Sequence, residues 1–228
     1  MQGIMTPLLR MEDVQIERLL RNQAPLRQKT GHVACRQAAD GWTDLALQSA
    51  CLSAFDICLK PNGQRSDEMV ERSVMRRFTN RHYQFHSSEH FLQIKHQITS
   101  SLQSFLVHRP CEGAIMARFE TFSVYVEELG MELTQHFHMI HMHPDGKGDY
   151  TVQKLVADDN EDALALYRHM TAVFGYYAFG RLPSVIEALL PLSGKIIRWR
   201  LDPDSLKESL DYMRLVKIMV MNEWNDSH

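Results

Sequence analysis

Four histidines, His136, His138, His141 and His143, stand close together in the stretch Thr134 to Asn160, which reads TQHFHMIHMHPDGKGDYTVQKLVADDN. Imidazole nitrogens suit Zn²⁺ and related metals. Alternate side chains of a strand share a face, so His136 and His138 form one pair and His141 and His143 another, each spaced by about 6 to 7 Å. Either pair offers two ligands, with Asp145, Asp149 or Glu120 as sources of a third; His136 and His138 are the candidate metal pair. The competing reading packs two of the rings beside Ile140 and Met142, or bonds them within the sheet, and puts the others near solvent.

A second chemical group lies upstream. Arg72, Arg76, Arg77 and Arg81 precede His82, Tyr83, Phe85 and His86. Clustered guanidinium groups suit phosphates, and Tyr83 offers a ring on which a base can stack. With Glu68 and Glu71 nearby, the same residues also read as a solvated basic face. A third group is acidic, Asp158 to Asp162. It caps a helix and complements the positive end of the helix dipole, unless Glu161 or Asp162 points back to the sheet as a displaced carboxylate. The cysteines, Cys35, Cys51, Cys58 and Cys111, form no C-x-x-C pair and read as free thiols, Cys51 and Cys58 two helical turns apart on one face. Glycine-rich phosphate loops, nucleophile elbows and H-E-x-x-H elements do not occur.

These residues must be carried by 228 positions, 44% hydrophobic and 23% charged, with a formal net charge of −3 and a pI of 6.4. Such a chain builds one large core or two small ones. The charge argues against nucleic-acid binding by bulk attraction and leaves room for a local basic patch. No apolar run reaches the roughly 18 to 20 residues that span a bilayer, and the first residues lack a basic n-region with an apolar core, so a cytoplasmic protein is expected.

Periodicity divides the chain into a helical part, 1–110, and a sheet-containing part, 111–228, of one domain. Helices are expected over Met11 to Gln28, Trp42 to Leu59, Asp67 to Asn80 with Ser66 as N-cap, and Ser88 to Val107. After Pro110 the period becomes two. Ile115, Ala117 and Phe119 alternate, then Phe122, Val124 and Val126 do so on the other face, as a bulge produces. Leu133 to Met142, a turn at Pro144 to Gly148, and Tyr150 to Val156 complete a meander. A helix to about Gly180, strands Val185 to Leu192 and Lys195 to Leu201, and a last helix after Pro203 follow. The class is mixed α/β with a partly antiparallel sheet.

This order, with its loop signatures, resembles the PD-(D/E)XK nuclease fold in its RecB-like branch, over about Gly113 to Val220. That branch has a G-x-I-D-x-I-D-like strand, a D-x-D-G-like turn, a D-Y-K-like strand end and a Q-x-x-x-Y helix. The corresponding segments here are Gln135 to His141, His143 to Gly146, Tyr150 to Val156 and Ala163 to Tyr167. The resemblance implies a central sheet flanked by helices and a site at His138, Lys154, Val156 and Tyr167. His138 replaces the metal-binding Asp, Lys154 the acidic residue of the next strand, Val156 the Lys of the triplet, and Ala163 the helix Gln; Tyr167 is retained.

Clustered carboxylates hold Mg²⁺ through hard oxygen ligands. Imidazole is a poor substitute and a lysine repels the ion. The expectation is a degenerate, catalytically inactive nuclease fold with no cofactor. It would act as a DNA-associated or protein-interaction module, possible partners being DNA and a helicase or nuclease, with no membrane partner. Two alternatives stay open: an active nuclease using Mg²⁺ or Mn²⁺ with relocated residues, and an interaction protein unrelated to nucleic acid.

Overall fold

The structure, a computed structural model, describes residues 9–17, 41–109, 113–144 and 147–226. Strand β1 is Arg10–Glu12, followed by helices α1 Gly41–Cys58, α2 Asp67–Arg77 and α3 Ser88–Gln103. Strands β2 Ala114–Val126, β3 Met131–Met142 and β4 Tyr150–Leu155 form the meander. Helix α4 Glu161–Phe179, strands β5 Val185–Leu190 and β6 Lys195–Arg200, and helix α5 Ser205–Asp226 complete the chain.

Local chemistry explains the boundaries. Ser66 Oγ accepts the Met69 N–H, Ser87 Oγ the His90 N–H and Asn160 Oδ1 the Ala163 N–H, each meeting an amide that has no partner inside its helix. Helix α4 stops where Gly180 turns left-handed at φ 74°, a conformation that glycine adopts without a Cβ clash.

The sheet is mixed. β3 lies antiparallel to β2 along one edge and to β4 along part of the other; β4 and β5 are parallel across the α4 crossover, and β6 returns antiparallel to β5. Strand alternation sends neighbouring side chains to opposite faces. Phe137, Ile140, Tyr150 and Val152 pack with Met170, Val173 and Phe174 of α4 and Met213 and Val216 of α5. On the other face, Met139, Leu155 and Leu189 pack with Ala54 and Ile57 of α1, Val74 of α2 and Ile98 and Leu102 of α3. Helices therefore cover both faces of a mixed α/β sheet.

Three expectations need correction. The predicted helix from Met11 begins instead as strand β1, paired parallel with β3 through Arg10↔Glu132, Met11↔Leu133 and Glu12↔Thr134; residues 13–17 are helical and 18–28 lie outside the described residues. A three-residue strand is specified by the open ladder of β3 and by burial of Met11, not by propensity. The sheet therefore draws one strand from the part read as helical. In β2 the register shifts between Ile115 and Ala117, and a second irregularity puts Phe119 at φ 50°, so the break precedes the expected face switch. Helix α3 passes at Ser104–His108 into a π-helical turn. Cys35, Cys111 and Asp145 lie outside the described residues.

Gly175 of α4 lies against Tyr150, whose hydroxyl donates to the Arg181 carbonyl at 2.9 Å. A Cβ there would press on that hydroxyl and stand 3.0 Å from Pro183 Cδ. Gly175→Val is expected to cost about 1 to 3 kcal/mol by overpacking, measured as a lower urea midpoint.

Candidate functional site

The site forms where β3 is shared. On one edge β1 pairs residues 132–134 and β4 pairs 139–142, which leaves 135–138 with no strand partner on that edge among the described residues. Side chains take over the missing bonds. Asp13 Oδ2 accepts the His136 backbone N–H at 3.4 Å, and His138 Nδ1 accepts the Leu155 N–H at 3.0 Å. A buried backbone amide left without an acceptor is costly, so these bonds hold Asp13 and His138 in place.

A cavity of about 1010 Å³ opens at this gap. β3 and β4 supply His136, His138 and Lys154, and Val156 follows directly on β4; the segment after β1 supplies Asp13 and Glu17. Asp44, Gln48 and Cys51 come from α1, and Arg81 and Gln84 from the turn after α2.

One ion pair dominates the electrostatics. Lys154 Nζ lies 3.0 Å from Asp13 Oδ2 and 3.8 Å from Glu17 Oε2. The Lys154 and Asp13 side chains are only 11% and 8% exposed, so the pair is poorly screened by water. The ammonium also stands 5.6 Å from the centre of the Tyr167 ring. Burial holds the His138 imidazole well below its ordinary range, with the Lys154 charge adding to the effect. The ring is therefore neutral, and because Nδ1 accepts, the proton sits on Nε2. Phe119 stacks on it at 4.9 Å and 16°, the left-handed backbone at Phe119 being the irregularity that accompanies this contact. Burial pushes the Cys51 thiol up to about 12, so it is not a thiolate nucleophile at neutral pH.

The residues named from sequence divide clearly. His138, Lys154 and Val156 meet on the cavity wall, and Tyr167 lies beside Lys154 with its hydroxyl donating to the Glu187 carbonyl at 3.1 Å. Arg81 lines the same cavity. Arg76 and Arg77 do not; both donate to Asp56 at 2.7 Å, which ties α2 to α1 and holds that carboxyl down at about 2. Arg72 donates to the Glu68 carbonyl at 3.3 Å, and Tyr83 is 69% exposed away from the cavity wall.

Of the histidines, His136 and His138 face the cavity with ring centres 5.3 Å apart. His136 Nδ1 bonds Thr121 Oγ1 at 3.0 Å. His141 Nε2 bonds Gln153 Oε1, and His143 Nε2 bonds Thr151 Oγ1, so both serve the sheet. Among the described residues, no group of three or more His, Cys, Asp and Glu side chains is arranged to hold a metal ion. Asp149 and Glu120 do not line the cavity.

The carboxylates beside Lys154 are ones that sequence reasoning missed. They come from Asp13 and Glu17, with Asp44 on the α1 wall, and not from Glu161 or Asp162, which remain in the first turn of α4. A spacing of four residues in MEDVQIE marks Asp13 and Glu17 as one helical face. No local signal brings that face to Lys154. A second missed group is Glu187, 2% exposed, which accepts from Arg109 at 2.9 Å, Arg198 at 2.6 Å and Gln153 at 2.7 Å. That bond orients the Gln153 amide, and the amide oxygen in turn places the His141 proton on Nε2.

No protein-family model matches the chain, and no curated protein matches it. A solved structure described as "Crystal structure of SSO0001" is similar at 10% identity with a TM-score of 0.26, over 90% of this chain and 86% of that one. No helix among the described residues is long and apolar enough to cross a membrane.

Proposed function

We propose that this chain is a nuclease-fold protein that does not cleave DNA and that acts as a DNA-associated or protein-interaction module, with a helicase or nuclease as the kind of partner implied. The reading draws on the sequence resemblance and on the order of elements, an antiparallel meander β2, β3, β4 followed by a helical crossover to a parallel strand. The observation that carries it is the pairing of Lys154 with Asp13 at 3.0 Å, beside His138. A divalent ion at this carboxylate would meet the ammonium at close range. The repulsion amounts to about 4 kcal/mol per unit charge at 4 Å in a medium of effective dielectric 20. Lys154 thus supplies the positive charge that a metal would otherwise supply.

The test is incubation with linear duplex and single-stranded DNA in Mg²⁺, Mn²⁺ or Zn²⁺. The expected result is intact DNA in all three; products with any of them, removed by a chelator, would overturn the proposal. The runner-up is metal-dependent hydrolysis with relocated residues, for which Asp13, Glu17 and Asp44 in one cavity are the favourable observation. The same incubation separates the two. For binding, Arg81→Ala is expected to weaken single-stranded DNA at low salt by about 1 kcal/mol, more than Arg76→Ala does, because Arg76 already serves Asp56. Fluorescence anisotropy at two salt concentrations reads the difference.

A further inference from the structure

We infer that Asp13 and Glu17 form a built-in competitor that holds Lys154 away from a nucleic-acid phosphate, whose binding place is the cavity wall between Lys154 and Arg81. The inference rests on the DNA-associated reading and deepens it. Lys154 and Arg81 line one cavity, and among the described residues Arg81 makes no ion pair while Lys154 is engaged by two carboxylates. A lysine with an arginine is the donor set that phosphate oxygens take. Gln48 and Gln84, which line the same cavity, offer further donors. A carboxylate at 3.0 Å makes the charge-assisted bond that a phosphate oxygen would make, so the two compete for one ammonium.

The competitor sits on a short attachment to the sheet. β1 joins the sheet through three residue pairs, helped by the Arg10 guanidinium against Glu132 at 3.3 Å and Thr134 at 3.1 Å. Met11 and Ile16 are buried and anchor the segment to the core. Asp13 and Glu17, one helical turn apart, then reach Lys154, 141 and 137 positions away in sequence. The acidic segment therefore lowers the affinity of the cavity for anions for as long as it is seated.

The experiment measures binding of a short fluorescent single-stranded DNA oligonucleotide, with and without a 5′-phosphate, by anisotropy at low salt. Asp13→Asn with Glu17→Gln keeps shape and removes both charges; affinity is expected to rise about tenfold, with a steeper salt dependence. Adding Lys154→Gln should abolish the gain. Glu127→Gln with Glu128→Gln, both exposed in the turn between β2 and β3, removes as much charge away from the cavity and should leave affinity unchanged. Circular dichroism confirms folding, and Glu17→Gln alone, at a carboxylate 27% exposed, is the milder variant if the double one unfolds; about threefold tighter binding is expected.

Unchanged binding in both folded variants while the wild type binds would overturn the competitor and leave the DNA reading standing. Binding by neither wild type nor variants would overturn both. A gain that survives Lys154→Gln, or that the distant pair reproduces, would overturn the competitor in favour of a general charge effect. Binding seen only after the charges are removed supports both.

Discussion

Replacing Lys154 with methionine is expected to lower the stability of the fold by about 3 to 5 kcal/mol, because it leaves the Asp13 carboxylate buried without its cation. The Asp13 side chain is 8% exposed, and its Oδ2 receives the Lys154 ammonium and the His136 amide. Removing the ammonium leaves only two neutral amide donors for a full charge, the His136 N–H at 3.4 Å on Oδ2 and the Val14 N–H at 3.0 Å on Oδ1. For a chain of this length the loss corresponds to a fall in Tm of roughly 6 to 20 °C, read by calorimetry. The double variant Lys154→Met with Asp13→Asn should recover most of it, since asparagine keeps an acceptor for His136 and carries no charge. A single variant as stable as the wild type would show that Asp13 reaches water, and a double variant as unstable as the single would assign the loss to packing.

Stability is also expected to fall as pH drops from 6.5 to about 4, and His141 is the group whose range is defined. It is 1% exposed, and burial pulls its imidazole down to about 4, the Arg65 and His143 charges acting in the same direction against the Gln153 bond. The unfolded chain takes up this proton first, near 6.5, while the folded chain resists until about 4. Above 6.5 neither form is protonated and the full stability is present. Through the window the unfolded state is favoured, with a loss on the order of 2 to 4 kcal/mol from this group by pH 4. His138 acts in the same direction, so its protonation adds to the slope. Asp56 titrates from 3.8 down to about 2, below the window. Urea midpoints at pH 7.5, 5.5 and 4.5 measure the slope, and His141→Gln should flatten it. A midpoint that does not change with pH would show that both rings are protonated in the folded state or open to solvent.

Much of the scaffold is legible without coordinates because its determinants are local. Ser66 is recognisable as a cap from the acidic turn after it, and helix α2 begins there. The apolar residues of Ser88 to Val107 repeat at helical spacing, and Ile98 and Leu102 are fully buried. The change of period after Pro110 locates the meander to within a few residues of β2, β3 and β4. Each of these follows from contacts within one or two turns, or from one strand with its neighbour.

The site is legible in part. His138, Lys154 and Val156 can be named because they lie on adjoining strands or, for Val156, directly after one, and the hairpin brings these strands together. The basic stretch misleads because arginine type and spacing look alike whether the guanidinium is committed or not. Only the packing of α2 on α1 assigns Arg76 and Arg77 to Asp56 and leaves Arg81 on the cavity wall. The gap in β3 is invisible locally, since β4 reaches this edge through the adjoining hairpin while β1 reaches it from near the start of the sequence.

The stretch Thr134 to Asn160 by itself determined two strands, a turn, a helix cap and a row of histidines followed by Lys154, because alternation and capping act over a few residues. Tertiary structure alone decided what the row does. It turned His141 and His143 to bonds within the sheet, held His138 neutral under the Leu155 amide, and brought Asp13 across 141 positions to Lys154. The physical reason is that an ionised group taken out of water needs its counter-charge within a few ångströms, and only the folded chain places that partner.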